Sequence, residues 1–424
     1  MIARGAILIL LAASVPAVAA QQLPERSNFD RILAAGALEQ IPWQVNISPP
    51  ELNLDQRMEV RISVNLDGNQ LNKHGSQHEL LLLARAAPEG GVWAPGTTRL
   101  YQRLDEPLPR RTDLTFSMKL LVTPGSFRMG IVLLDRMSGH RSVTLRTFRV
   151  LPLIADPLPQ LFAGLPAVEF VRIEEGVDTA IQFQAAGQAR MVIDTVRPAE
   201  LELLVNFGHS EEFSVPRLDL FPNRGPLTQG SRRRRGTPNV EKNLALILAA
   251  LKPLAGLSVA NGAARITGLD LVRRKVIFEQ GLDGPLDWLR LRDALADMDS
   301  NVVDVKTLAN QTESPAFFRD LLQQRLRAGA SATPAEGSAA TAPLRVFIVL
   351  SGATLFVRGA EVTAITPPED CNCRVYYIRL FLLGNIWDEL EEILKPLKPR
   401  RFDVRTPLDY RKALGAIVEE LGKL

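Results

Sequence analysis

The sequence predicts a multidomain protein: an N-terminal all-β sandwich followed by a doubly wound α/β domain. Two observations carry this expectation. Between Ile41 and Val150 apolar residues alternate at period two in short runs separated by turn residues, with hardly any helical period, which is the pattern of a sandwich. After Pro198 strand-like apolar runs alternate with amphipathic helix-like runs, which argues for strands and helices in layers around a parallel sheet. The chain has 424 residues, of which 46% are hydrophobic and 23% charged. That is enough for two or three cores.

Residues 1–20 have the order of a secretory signal: Arg4, the apolar run Ala6 to Ala13, and Val18-Ala19-Ala20 before Gln21. The apolar run is too short to span ~30 Å of hydrocarbon, and no Cys follows it to carry a lipid. Arg345 to Arg358 encloses the longest later apolar run and reads better as a buried strand than as a membrane span. The expectation is a protein exported from a bacterial cell, periplasmic, surface-held or released, with no transmembrane helix after signal removal. A formal net charge of +3 gives no global field toward nucleic acid or an acidic membrane. With only Cys371 and Cys373 present, no disulfide framework holds the fold together.

Residues 21–40 are polar and weakly helical through Arg31-Ile32-Leu33-Ala34-Ala35. Residues 41–155 form the predicted sandwich. Its strands are Trp43 to Ile47, Met58 to Leu66, Glu79 to Arg85, Leu114 to Val122, Phe127 to Asp135 and Ser142 to Val150. Asp67-Gly68, Pro124-Gly125 and Ser138-Gly139 supply turns. Asp156-Pro157-Leu158-Pro159 opens a β-rich connector, residues 156–198, because proline continues neither regular structure. Three short strands are expected in it, at Glu169 to Ile173, Thr179 to Gln184 and Ala189 to Asp194.

Residues 199–424 make the α/β part. Strand Leu201 to Phe207 precedes helix Val240 to Leu254, whose apolar side holds Leu244, Ile247, Leu248 and Leu251. Strand-like Leu257 to Ala260 and Leu269 to Phe278 lead to helix Pro285 to Met298, with Leu289, Leu291 and Leu295, and then to strand Val302 to Leu308. Ser314 caps helix Pro315 to Leu326. Leu344 to Leu350 and Arg374 to Leu383 are apolar strands of the kind buried in a parallel sheet. Helix Trp387 to Leu394, strand Phe402 to Val404 and helix Thr406 to Leu421 close the chain. Loops 225–238 and 328–343 interrupt the alternation; the first carries Arg232 to Arg235 and the second is rich in Ala, Ser, Thr, Gly and Pro.

The strand Ala199 to Asn206 ends in the small polar turn Phe207-Gly208-His209-Ser210. A later strand runs Val346-Phe347-Ile348-Val349-Leu350-Ser351-Gly352, and Phe402-Asp403-Val404-Arg405-Thr406-Pro407 stands before the last helix. This order resembles a von Willebrand factor A-like domain, a Rossmann-like fold, and more closely the VWFA-related domains of exported acidobacterial-type proteins. The hairpin Pro124 to Asp135 resembles the sandwich found beside such domains. The resemblance covers about half the chain. It implies a metal-ion-dependent adhesion site with Asp-x-Ser-x-Ser after the first strand, a distant Thr, and an Asp after a later strand, all oxygen ligands for a hard cation. Here the first motif aligns as Asn206-Phe207-Gly208-His209-Ser210, Ser351-Gly352 stand where the later Asp belongs, and Thr312 takes the Thr position only if the loop register allows. Only Ser210 is retained and both anionic ligands are missing. The resemblance thus implies a degenerate, metal-free site with no cofactor, in a binding or scaffold protein with a protein partner.

Other chemistry is weaker. Gly208-His209-Ser210 begins like a nucleophile elbow, but position 212 is Glu, and His74, His78, His140 and His209 all precede Ser210, which is the wrong order for that class of hydrolase. Cys371-Asn372-Cys373 lacks further ligands for zinc. At a strand start the two thiols would point to opposite faces, which disfavours a mutual bridge, although unpaired thiols are odd in an oxidising compartment. A strained local bridge, a link to another chain and simple burial stay open, and a structural role is preferred. Arg232 to Arg235 have no stacking aromatics beside them and read as a solvated loop, so no nucleic-acid partner is expected. His74 and His78 read as solvent-exposed, and Glu211-Glu212 and Glu391-Glu392 as turn or helix surface.

Overall fold

A computed structural model describes residues 25–94, 98–109, 111–171, 189–208, 240–296, 313–330, 343–352, 354, 363–368, 371–380 and 388–424. The expected signal at 1–20, the strands Thr179 to Gln184 and Val302 to Leu308, the loop 225–238, and the positions Ser210 and Thr312 lie outside these residues.

The first half is a two-sheet sandwich, as its alternation predicts. Its strands are β1 (Leu38–Glu39), β2 (Gln44–Ile47), β3 (Glu51–Leu52), β4 (Met58–Asp67), β5 (His78–Pro88), β6 (Thr98–Leu104), β7 (Asp113–Val122), β8 (Gly125–Asp135), β9 (Arg141–Val150) and β10 (Val168–Phe170). One sheet has the order β1-β9-β8-β5-β6; the other is β10-β7-β4-β2, with β3 paired to β4. All of these ladders are antiparallel. Met58, Val60, Ile62, Val64 and Leu66 of β4 point inward and meet Leu80, Leu82, Met129, Ile131 and Leu133 of the facing sheet. Burial of two such faces is the main stabilising term, at ~25 cal/mol per Å² of apolar surface. Helix α1 (Glu25–Ala34) lays Phe29 and Leu33 on the outer face, against Leu81, Leu83, Val132 and Val143. A short turn of helix, α2 (Gly68–Leu71), is capped by the Asp67 carboxylate.

Beyond the sandwich come β11 (Met191–Ile193), β12 (Ala199–Asn206), helix α3 (Val240–Ala255), β13 (Leu257–Val259), β14 (Gly262–Asp270), β15 (Lys275–Gly281) and helix α4 (Trp288–Ala296). They are followed by helix α5 (Glu313–Ala330), β16 (Leu344–Gly352), β17 (Cys373–Leu380), helix α6 (Glu389–Leu394), β18 (Arg400–Val404) and helix α7 (Pro407–Leu421). The large sheet has the order β15-β14-β12-β16-β17-β18, and β11 pairs with β13 in a separate two-stranded ladder. β14 to β18 flank β12 in parallel ladders except for the antiparallel edge pair β14–β15. Leu203, Val205, Ile348 and Leu350 pack toward α3 and α7, whereas Leu204, Phe347, Val349 and Tyr377 pack toward α5 and α6.

The expected fold class is therefore corrected. The sandwich stands, but the described residues taken together are β-dominated, 42% strand against 27% helix, with most of their ladders antiparallel. Taken whole, these residues do not form the expected doubly wound α/β, Rossmann-like class of von Willebrand factor A type; the second half nonetheless supplies a mostly parallel six-stranded sheet with helices on both faces. The alternation misleads at its second step. Leu269 to Phe278 was expected as one strand, but it contains the turn between β14 and β15, which run antiparallel with a register irregularity at Gly268/Leu269. Apolar runs of this length do not distinguish a strand from a tight hairpin. Leu289, expected on the buried side of α4, is exposed.

Two side-chain expectations also change. Cys371 and Cys373 form a disulfide with one another, because β17 begins only at Cys373 and the preceding residues are free of the strand alternation that would separate the sulfurs. His78, expected in solvent, is buried: Nδ1 lies 2.9 Å from Asp135 Oδ2 and Nε2 3.1 Å from the Gly75 carbonyl. His74 packs edge-on against the His140 ring, with centroids 5.1 Å apart. Burial alone would raise the Asp135 pKa, but His78, the Ser138 hydroxyl and the Glu79 and Met137 N–H groups outweigh it and hold the carboxyl below its ordinary range. A lowered folded pKa means stability that is present above the unfolded value of ~3.9 and lost as pH falls through the folded one. Asp135→Asn is expected to cost about 1–3 kcal/mol at pH 7 and to flatten the loss of stability below about pH 4, measured by urea unfolding across that range. An unchanged acid limb would show that the pair does not supply it.

Candidate functional site

The candidate site lies at the carboxyl ends of β12, β16 and β17, where parallel strands release their chain into loops and ligands commonly bind. Asn206 is the last residue of β12 and is buried. Its Nδ2 donates to Ser351 Oγ at 3.0 Å, and its Oδ1 accepts the Gly208 N–H at 3.1 Å, a local turn that Asn side chains favour. The Ser351 hydroxyl donates in turn to the Gly352 carbonyl at 2.7 Å. Of the positions singled out from the sequence, Asn206, Gly208 and Ser351 are thus brought together.

The glycine has a physical reason. A Cβ at position 208 would stand 2.6 Å from Asp270 Oδ1 and 2.9 Å from the Leu271 nitrogen. Asp270 cannot easily yield, since it is buried and its carboxylate accepts from the Arg273 backbone and guanidinium, each at 3.0 Å. Gly208→Ala is expected to cost about 1–3 kcal/mol, the range for overpacking a closed interior. Thermal unfolding of the variant checks this, and an unshifted midpoint would mean that the turn relaxes freely.

The row continues across the sheet. Ser351 pairs in register with Arg379, and Arg379 with Asp403. Arg379 is buried. Its Nε donates to Asp403 Oδ1 and its Nη1 to Glu391 Oε2, both at 2.7 Å, and Nη1 lies 3.5 Å from Asp388 Oδ2. Burial would lower the guanidinium pKa, but the three acids raise it. Arg401 adds a second cation against Glu391.

Asp388 is the centre of this group. Standing just before α6, it caps that helix by accepting the Leu390 N–H at 3.2 Å. It also accepts the Thr354 hydroxyl at 3.1 Å and the Tyr377 hydroxyl at 2.7 Å. Burial pushes the Asp388 carboxyl up, and Tyr377, Thr354 and Arg379 only partly counter it. Tyr377 is raised well above its ordinary value by burial and then by the neighbouring Asp388 charge.

Sequence reasoning missed this cluster and placed Glu391 on a helix surface. Two signals were present: Tyr377 and Arg379 at period two inside an otherwise apolar strand, and an Asp directly before an apolar-periodic helix. As arranged, the Ser351 hydroxyl, the Asn206 amide and the Asp388 carboxylate all have intramolecular partners. Among the described residues no three His, Cys, Asp or Glu side chains are grouped to hold a metal ion. No helix among them is long and apolar enough to cross a membrane.

Neither a protein-family model nor a curated protein matches the chain. Several solved structures resemble parts of it. One is the crystal structure assigned to ApaA of Bordetella pertussis, 11% identical, covering 28% of this chain and 99% of that one at a TM-score of 0.18. Another is a family 2 glycosyl hydrolase of Bacteroides cellulosilyticus, 7% identical over 74% of this chain and 36% of the enzyme, with a TM-score of 0.19. A third is a family 123 glycoside hydrolase of Clostridium perfringens, 10% identical, covering 73% of this chain and 65% of the enzyme, with a TM-score of 0.20. Likenesses this low bear on neither fold nor activity, and they do not point to a von Willebrand factor A domain.

Proposed function

We propose that the protein is exported and acts by binding other proteins, as a binding or scaffold protein without catalysis of its own. The observation that carries this reading is the closed hydrogen bonding at the strand ends. Asn206, Ser351, Thr354, Tyr377 and Asp388 spend their polar groups on one another and on the local backbone. A nucleophile or general base needs a lone pair or proton that a substrate can reach, whereas a rigid, self-satisfied sheet end suits the presentation of loops. The Cys371–Cys373 bridge supports export, since disulfides persist in oxidising compartments.

Purified mature protein is expected to show no turnover on ester, peptide and glycoside panels, and to cross-link to a defined partner in its native envelope. Turnover abolished by Ser210→Ala would overturn the reading in favour of a hydrolase. The competing binding mode is divalent-ion-dependent adhesion through Asn206, Ser210, Ser351 and water. Thermal-shift titration with millimolar Mg²⁺, Mn²⁺ or Ca²⁺ is expected to leave the midpoint unchanged. A ligand confined to the native state raises apparent stability by about 2.7 kcal/mol at 100 times its dissociation constant, so a rise in midpoint would favour the adhesion mode.

A further inference from the structure

Both cysteines of the chain are spent on one bridge between residues two apart, Cys371 and Cys373. Such a bridge closes a very short loop. Loop-closure entropy grows with the logarithm of loop length, so it restrains the unfolded chain little. The same residues are already held by backbone hydrogen bonds. The Arg345 N–H donates to the Asn372 carbonyl at 3.0 Å, the Cys371 N–H donates to the Pro368 carbonyl at 3.2 Å, and Cys373 lies in register with Arg345 in the β16–β17 ladder. The disulfide therefore adds little that the fold lacks.

Its surroundings suit exchange. Cys371 and Cys373 are both only partly buried, packed at the edge of the apolar layer that holds Phe347 and Val375. Arg345 is the direct neighbour of Cys373 across the ladder, on the same sheet face as the register pair Phe347 and Val375 two residues on. Arg374 follows Cys373, is exposed, and lies on the opposite face of β17 with Tyr376, so Arg345 is the cation on the Cys373 face. Positive charge beside a cysteine stabilises its thiolate as leaving group or nucleophile. The ion pair of Arg345 with Glu200 is long, at 3.8 Å, and the guanidinium is otherwise spent on the Leu326 and Arg325 carbonyls at the end of α5.

We propose that Cys371–Cys373 is a redox-active pair that exchanges with dithiols. One thiolate of the dithiol attacks a bridge sulfur, the S–S bond breaks, and the departing thiolate takes a proton from water. The second thiol of the dithiol then closes on the mixed disulfide. The chain gains two electrons and two protons, and the dithiol leaves as a disulfide. This leaves the protein-binding reading above untouched, though an exchanging pair would no longer support export by its persistence, and it places the pair at the amino end of β17, at the opposite end of that strand from the Arg379 cluster.

The test treats the full, folded chain with graded dithiothreitol, alkylates it, and reads intact mass beside the thermal midpoint. The expected result is two alkyl groups without denaturant, a midpoint moved by less than about 4 °C, and recovery of the bridge with oxidised glutathione. Cys371→Ser is expected to take one glutathione onto Cys373 from glutathione disulfide. Alkylation only after denaturant, collapse of the midpoint on reduction, or a Cys371→Ser variant that takes no glutathione would each overturn the proposal.

Discussion

Arg411→Met is expected to cost the folded protein about 3–5 kcal/mol, the range found when one partner of a buried ion pair is removed. Arg411 sits on α7 and is fully buried. Its Nε and Nη2 reach the two oxygens of Asp156 at 2.6 and 2.7 Å, Nη2 also donates to the Leu158 carbonyl at 2.7 Å, and the guanidinium lies 4.6 Å from the centroid of the Phe162 ring. These contacts join the proline-rich segment after the sandwich to the last helix of the chain. Methionine would fill the space, leave the Leu158 carbonyl without its guanidinium donor, and leave the Asp156 carboxylate with only the Leu158 N–H and no countercharge. The double variant Arg411→Met/Asp156→Leu is expected to regain much of the loss, because it removes the orphaned charge as well.

The pH dependence of that penalty has a definite sign. Burial pushes the Asp156 carboxyl up, but the Arg411 guanidinium and the Leu158 N–H outweigh it and hold the pKa below its ordinary value. The contribution is present above the unfolded value of ~3.9 and disappears as pH falls through the folded one. The gap between wild type and Arg411→Met in urea unfolding should therefore narrow below about pH 4. A loss at pH 7 no larger than the ~0.5 kcal/mol of an ordinary surface change would mean that this pair does not hold the junction.

How much of this was legible in the sequence depends on how local each cause is. The sandwich was legible because a strand with one buried face writes its alternation into consecutive residues, as Met58 to Leu66 do. Caps were read unevenly: Ser314, expected to cap α5, lies inside that helix with its hydroxyl unpartnered, whereas Thr406, expected inside α7, caps it by accepting the Asp409 N–H, a local Thr-Pro-x-Asp signal that went unread. The burial of His78 was not legible, because its cause is Asp135, 57 residues away. Likewise nothing near Arg411 announces Asp156, 255 residues distant. The turn at Asn206 was placed correctly at a strand end, yet its role changed. Gly208 reads from the sequence as the loss of a serine ligand, while the structure gives it a steric reason in Asp270. One strand of the second half was misread for a related reason. The order of strands along the chain is local, but whether Leu269 to Phe278 continues or folds back depends on the partner it finds.

Asp388→Ala should be nearly as damaging as Arg411→Met, at about 3–5 kcal/mol, for a different reason. It would leave the Tyr377 and Thr354 hydroxyls and the Leu390 N–H without their shared acceptor, each orphaned buried donor costing about 1–3 kcal/mol where it cannot re-pair. It would also remove the cap of α6, typically worth ~1 kcal/mol. Asp388→Asn separates shape from charge. Burial raises the folded pKa of Asp388 above its unfolded value, so its favourable contribution is complete below ~3.9 and declines as pH rises through the folded pKa. Wild type therefore loses stability relative to Asp388→Asn between acid and neutral pH, and the urea midpoint of wild type minus that of the variant should fall from pH 4 to pH 7. If that signed difference rose instead, Arg379 would be compensating the carboxylate more fully than its 3.5 Å approach suggests. Asp388 would then be a partner of Arg379 in a balanced ion network, and the strain assigned to its burial would be absent.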